Sequence, residues 1–247
     1  MTPQWTAASH THELRQAMLL VTHALSKRVP TSDGELTILD RVSLEIAAEE
    51  RVAIVGSSGS GKSTLLSLLA GLDEPTDGSV VYHGRDNLSN MSEAERAAFR
   101  AEWIGFVFQS FQLLSSLTAV ENVMLPLELN GEGRASEKAR EWLDRVGLSH
   151  RLTHYPRQLS GGEQQRVAIA RAFAMEPRVL FADEPTGNLD TATGQKVVEL
   201  LFEINRDAGT TLILVTHDAN LAQQCDRSIR LEAGKVVDSI AAEGQTL

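Results

Sequence analysis

Apolar residues recur along this chain in two rhythms. Short unbroken runs fall at Arg51-Val52-Ala53-Ile54-Val55, Ile104-Gly105-Phe106-Val107-Phe108, Val179-Leu180-Phe181-Ala182 and Thr211-Leu212-Ile213-Leu214-Val215. Runs of this length without alternation predict strands buried on both faces, as in a parallel sheet. Between them lie longer stretches read as helices: one opening near Gly61, then 92–103, 161–175 and 191–207. Ser92, with Glu95 three residues on, reads as a capping box. Strands alternating with helices predict an α/β domain with a mostly parallel core sheet. Residues 18–24 and 36–46 read differently. They are strands around a turn at 30–34, the second alternating at Val42, Leu44 and Ile46, and they predict a small, partly antiparallel sheet. A short strand at 79–82 follows the turn at 73–78, and a hairpin around Ala233-Gly234 closes the chain.

Residues 111–158 change character. They hold an amphipathic piece at 118–129, a break at 131–133 and a helix at 136–146. Pro126 is expected to kink or end the first piece. The resulting plan is a flexible extension at 1–16 and one domain at 17–247, with a helical subdomain inserted at about 110–158.

Composition adds exclusions. The chain has 247 residues, 42% of them hydrophobic and 23% charged, which is ordinary for a globular protein. A net charge of -10 argues against broad binding to nucleic acid or to an anionic membrane surface. Cys225 is the only cysteine, so no disulfide within the chain can form. No apolar run is long enough to span a bilayer, and no secretory signal is visible. The expectation is a cytoplasmic protein that reaches any membrane through a partner.

The first candidate chemistry lies where the run ending at Val55 meets a helix. Gly56-Ser57-Ser58-Gly59-Ser60-Gly61-Lys62-Ser63-Thr64 has the spacing and the strand–helix setting of a phosphate-binding loop. Its glycines let backbone N–H groups converge on one anion, and the helix start adds a positive dipole end. Lys62 can reach the β- and γ-phosphates, and Ser63 is placed as a magnesium ligand. The plainer alternative is a glycine-rich turn with no ligand. The second candidate is Asp183-Glu184, delivered at the carboxyl end of an apolar strand, the edge where α/β sheets bind ligands. Adjacent buried carboxylates need a cation or a proton. Magnesium answers that need at Asp183, directly or through water, and leaves Glu184 free to deprotonate an attacking water. The third candidate is Leu159-Ser160-Gly161-Gly162-Glu163-Gln164-Gln165. Ser160 is a good helix cap, and the helix start offers a second anion site. Two anion sites and one nucleotide pocket suggest a head-to-tail dimer, the Ser160 helix of one copy closing over the Lys62 loop of the other.

In order and type these motifs resemble the ATPase subunit of an ATP-binding-cassette (ABC) transporter. Gly56 to Ser63 matches Walker A, Gln109 the Q-loop, and Leu159 to Gln164 the signature motif. Val179 to Glu184 matches Walker B, Gly187-Asn188-Leu189-Asp190 the D-loop, and His217 the switch histidine. The resemblance covers residues 18–240 and implies an ATPase that uses ATP and Mg2+. It implies that Gln109 touches the metal or the attacking water and senses a membrane partner. It gives His217 the γ-phosphate and Asp190 the dimer interface. It has the segment at 111–129 receive a helix of an integral membrane permease. Phe106-Val107-Phe108-Gln109-Ser110-Phe111 with Glu121-Asn122-Val123 resembles the lipoprotein-release and macrolide-export branch, and the sequence around Cys225-Asp226-Arg227 the YbbA type within it. That branch implies a partner acting in the periplasm, with or without transport. One departure stands out: Val29 occupies the position where many relatives stack an aromatic on adenine.

Other residues support plainer readings. Trp5, Trp103 and Trp142 read as packing or partial surface cover, His10 and His12 as part of a solvated tail that could at most bind a metal weakly, and His23, His83, His150 and His154 lack metal-ligand spacing. A DNA-repair ABC ATPase is the rival class, but the chain carries no long coiled-coil or zinc insertion.

Overall fold

The computed structural model describes residues 18–32 and 34–241. Trp5, His10, His12 and the extension at 1–16 lie outside the described residues. Two sheets organise the rest. A six-stranded sheet has the order β10-β9-β3-β8-β7-β6. Its members are β3 (Arg51–Val55), β6 (Ile104–Phe108), β7 (Val179–Asp183), β8 (Thr211–Val215), β9 (Arg227–Glu232) and β10 (Lys235–Ala241). All neighbours pair in parallel except the closing β9–β10 hairpin. A four-stranded antiparallel sheet has the order β2-β1-β4-β5, from β1 (Met18–Thr31), β2 (Gly34–Ala47), β4 (Asp77–Tyr82) and β5 (Asp86–Asn87).

The unbroken apolar runs are explained by what covers each face. Ala53, Leu180, Ala182, Leu212 and Leu214 point to one side of the parallel sheet. There they meet α3 (Ala119–Leu129), α4 (Ala135–Arg145), α5 (Gly161–Phe173) and α6 (Thr191–Ala208). Val52, Ile54, Val179, Phe181, Ile213 and Val215 point to the other side, toward α1 (Lys62–Leu69), α2 (Glu93–Trp103) and the antiparallel sheet. A strand with no solvent face has no polar position to show, so periodicity disappears.

Four elements depart from expectation. β1 continues past Ala24 to Thr31. Ala24 takes a φ of 47° and the register slips between Thr22 and Leu25, so a bulge breaks the alternation without ending the strand. Pro126 lies inside α3 and does not end it. Buried Val123 and Leu127 flank the proline and hold the helix across it. A short helix, α7 (Ala219–Ala222), and the two-residue β5 carry too few residues to show a period. The Ser92–Glu95 capping box forms as expected, and α3 carries a second one on Thr118 and Glu121. Trp103 packs between Phe99, His83 and the Arg178 guanidinium, and Trp142 stacks on Phe173.

Candidate active site

β3 stops at Val55 and α1 starts at Lys62, so the six residues between them form the loop. Gly61 caps the helix with a φ of 100° and supplies no side-chain hydrogen bond, so the first N–H groups of α1 stay open. A Cβ on Gly61 would stand 2.9 Å from Leu39 Cδ2 and 3.0 Å from the Ile38 carbonyl. One on Gly56 would stand 2.2 Å from the Leu231 carbonyl. The β2 and β9 backbones therefore press the loop from both sides. Buried Lys62 folds back, its Nζ donating to the Gly56 and Ser57 carbonyls at 2.9 Å each. Ser60 Oγ is buried with no partner among the described residues.

The carboxylates arrive from β7. The Ser63 hydroxyl donates to Asp183 Oδ1 at 3.5 Å. Burial raises the Asp183 carboxyl above its ordinary range, and the Glu184 charge adds to this. The Ser63 hydrogen bond and Lys62 pull the other way. Glu184 turns sharply off the strand end with a φ of 44°, and its N–H donates to the Val215 carbonyl at 2.9 Å. His217 Nδ1 lies 3.4 Å from Glu184 Oε1. Ser58, Gly59, Gly61, Lys62, Ser63, Thr64, Glu184 and His217 line one cavity of about 600 Å³, with Ile38 as its apolar wall. The residues fit a triphosphate and its cation: open helix amides, an orphaned hydroxyl, a movable lysine, and a carboxylate that a divalent ion would relieve.

Not all expected residues meet there. Ser160, Gly161 and Gly162 open α5 elsewhere. Ser160 and Gly162 line a separate cavity of about 590 Å³ with Arg145, Arg166 and Lys196. Ser160 caps Glu163 N at 3.3 Å, and Glu163 Oε2 accepts from the Ser160 N–H at 2.8 Å. Those bonds and Arg151 hold the Glu163 carboxyl down at about 2. Asp190 caps α6 by accepting from Thr193 N at 3.0 Å, and the Thr193 hydroxyl together with this N–H lowers its carboxyl below the usual range. Gln109 does not line the Lys62 cavity. Its Nε2 donates to Asn188 Oδ1 at 3.4 Å, and Asn188 Nδ2 donates back to the Gln109 carbonyl at 3.0 Å. Val29 is half-buried and pairs with Leu36 near the end of the hairpin.

Two contributions escaped the sequence reading, which placed Gln165 in the third candidate stretch without a role of its own. Gln165 is fully buried on α5, and its Nε2 donates to the Pro185 carbonyl at 2.7 Å, tying that helix to the residue after Glu184. Its signal is a glutamine on the core-facing side of a helix. Arg171 donates to the carbonyls of Phe111 and Gln112 at 3.0 and 2.6 Å, two consecutive residues with φ of 60° and 52°. It also lines an apolar groove of about 510 Å³ with Leu114, Leu125, Pro126 and Leu129. Here burial lowers the guanidinium below its ordinary range.

A loop of this form at the carboxyl edge of a parallel sheet, facing a strand that ends in carboxylates, defines a P-loop nucleoside triphosphatase. Residues 39–187 match the ABC transporter family. The ATP-binding protein YbbA of Escherichia coli K12 is 55% identical over 87% of this chain and 94% of its own length. The lipoprotein-releasing system ATP-binding protein LolD of Geobacter metallireducens is 49% identical over 89% of this chain and 98% of its own. A solved dimeric, post-hydrolysis state of the ATP-binding cassette MJ0796 bound to ADP and Pi has a TM-score of 0.85 at 39% identity, covering 92% of this chain and 100% of that one. The chain belongs to the ABC transporter family and is one of its ATP-hydrolysing subunits. Among the described residues no helix is long and apolar enough to cross a membrane.

Proposed function

We propose that two copies of this chain close on each other around two Mg-ATP molecules. Each copy supplies the Lys62 loop to one nucleotide and the Ser160 helix to the other. The observation that carries this reading is the split site. The Lys62 loop with Glu184, and the Ser160 helix, line separate cavities of one chain. The dimeric cassette among the similar structures adds support.

Gly56, Ser57, Ser58, Gly59, Ser60, Gly61 and Thr64 surround the phosphates, and Lys62 leaves its two carbonyls to pair with them. Ser63, Asp183 and Gln109 hold magnesium, which when bound neutralises phosphate charge. Glu184 takes the proton of the attacking water. His217, beside it, orients that carboxylate and contacts the γ-phosphate. Asp190 stabilises the dimer interface near the Ser160 helix.

The motor drives a separate integral membrane permease from the cytoplasmic face of the inner membrane, and the permease acts on lipophilic substrates or on a periplasmic partner. The helical segment at about 110–158 is its receiving surface. The apolar groove supports this, since Leu129 beside it is 81% exposed and Leu114 47%.

Glu184→Gln tests the core of this reading. It should bind ATP, lose turnover by about 10²- to 10⁴-fold, the usual worth of a general base, and sediment as a dimer with Mg-ATP. Wild-type turnover would remove Glu184 as the base. A monomer at saturating Mg-ATP would overturn the sandwich.

A further inference from the structure

The loop after β7 carries more than Glu184. Gln109, at the end of β6, lies along its next turn. The Gln109 side chain covers Gly187 so closely that a Cβ there would stand 2.6 Å from Nε2, 2.9 Å from Cδ and 3.1 Å from Cγ. Gly187 is not among the residues with positive φ, so its backbone does not require glycine; the close approach does. Asn188 then holds Gln109 at two points: its Oδ1 accepts from the side-chain Nε2 at 3.4 Å, and its Nδ2 donates to the main-chain carbonyl of Gln109 at 3.0 Å. Gln109 makes no hydrogen bond to Ser63 or Asp183, which bond each other instead.

We propose that Gly187 and Asn188 form a seat that holds Gln109 off the metal site, and that Asn188 is a positioning residue governing its release. The inference rests on the reading of Gln109 as a metal ligand. Seat and cation compete for one side chain. Gly187 and Asn188 directly precede Leu189, which packs against Gly161 of the signature helix, and Asp190, which caps α6. In the proposed dimer this loop faces the second copy, so closure that shifts it would empty the seat. The metal site would then be completed only when the second copy is in place.

The seat predicts the sign of a substitution. Asn188→Ala removes both hydrogen bonds at an exposed position where the fold is not at risk. Gly187→Ala evicts Gln109 by contact and leaves Asn188 intact. Two measurements test them. In nucleotide-free protein, the Gln109 side-chain amide resonances should move toward free-amide positions in both variants. In the ATP-loaded Glu184→Gln background, below the concentration at which it dimerises, Mn2+ should bind about two- to tenfold tighter in both, the worth of about one net hydrogen bond. Adding Gln109→Ala should abolish both gains. Unmoved resonances, or Mn2+ affinity that is unchanged or weaker in Asn188→Ala and Gly187→Ala, would overturn the seat. If Gln109→Ala alone leaves Mn2+ affinity and turnover untouched, the ligand role of Gln109 fails and the seat's purpose with it. The resonance shifts separate these two failures, because they read the seat without metal.

Discussion

The chain builds two glycine-rich helix starts, and they are finished differently. At α1 the cap is Gly61, with no side-chain bond, and the first amides face an open cavity beside Lys62. At α5 the cap is Ser160, closed in a box with Glu163, and a carboxylate sits in the first turn. The first start is ready for an anion by itself. The second spends one amide on its own cap and keeps a negative charge beside the others. A helix of that kind is a poor lone phosphate site and a workable second half, to be used once another surface has already placed the anion. The difference argues that affinity resides at the Lys62 loop and that the Ser160 helix acts in recognition between copies.

Paired alanine substitutions test that division most severely. Gly61→Ala puts a Cβ against Ile38 and Leu39 at a φ of 100°, so the loop must deform. ATP affinity should fall by about 100-fold or more, corresponding to roughly 3 kcal/mol of strain, by titration of the monomer. Gly162→Ala meets a different obstacle, the Thr193 Cγ2 methyl at 2.4 Å, with Thr193 Cβ the next atom at 3.9 Å. It should leave monomer ATP affinity unchanged and weaken Mg-ATP-dependent dimerisation. Thr193→Ser, which deletes that methyl, should restore it. If Gly162→Ala lowers nucleotide affinity in the monomer, the two starts are not separate in function.

A second prediction concerns the adenine. Val29 pairs with Leu36, and the apolar wall of the Lys62 cavity is Ile38. Val29→Tyr should tighten ATP by about ten- to a hundredfold, the worth of one base stack. If affinity stays the same or falls, Val29 is not the adenine position, and Ile38 becomes the residue to test by the same measurement.

The order of elements was legible because each motif combines a period with a backbone demand. Val52 to Val55 has no polar position, and Gly61 must accept a positive φ; both leave marks in the sequence. What escaped has a common cause. The β1 extension is hidden by a bulge at Ala24, where the alternation slips. The contact of Gln109 with Gly187 and Asn188 is equally silent, because hydrogen bonds between distant loops have no period. The roles of Arg171 and Gln165 were missed for the same reason: each donates to the backbone of a loop remote in sequence. A polar residue on a core-facing helix side is the only trace such contacts leave.

The smallest expected effect bears directly on the two helix starts. Glu163 is held at about 2, chiefly by the Ser160 N–H, so it is ionised in the native state while the unfolded chain titrates near 4.5. Its stabilisation is therefore full above pH 4.5 and disappears as pH falls toward 2. Glu163→Gln removes that charge and keeps an acceptor for the cap. At pH 7 the variant should lose about 1 kcal/mol, because the ionised acceptor of the Ser160 N–H and the ion pair with Arg151 are both given up. The gap to wild type should close between pH 4.5 and 2, as read from urea melts. In the proposed sandwich the same substitution removes a negative charge from the face that would meet the second copy's phosphate. Mg-ATP-dependent dimerisation in the Glu184→Gln background should therefore tighten about two- to threefold, in line with one screened surface charge. Weaker dimerisation would mean that the carboxylate helps to hold the anion site open, and the contrast between a ready start and a reserved one would have to be drawn the other way.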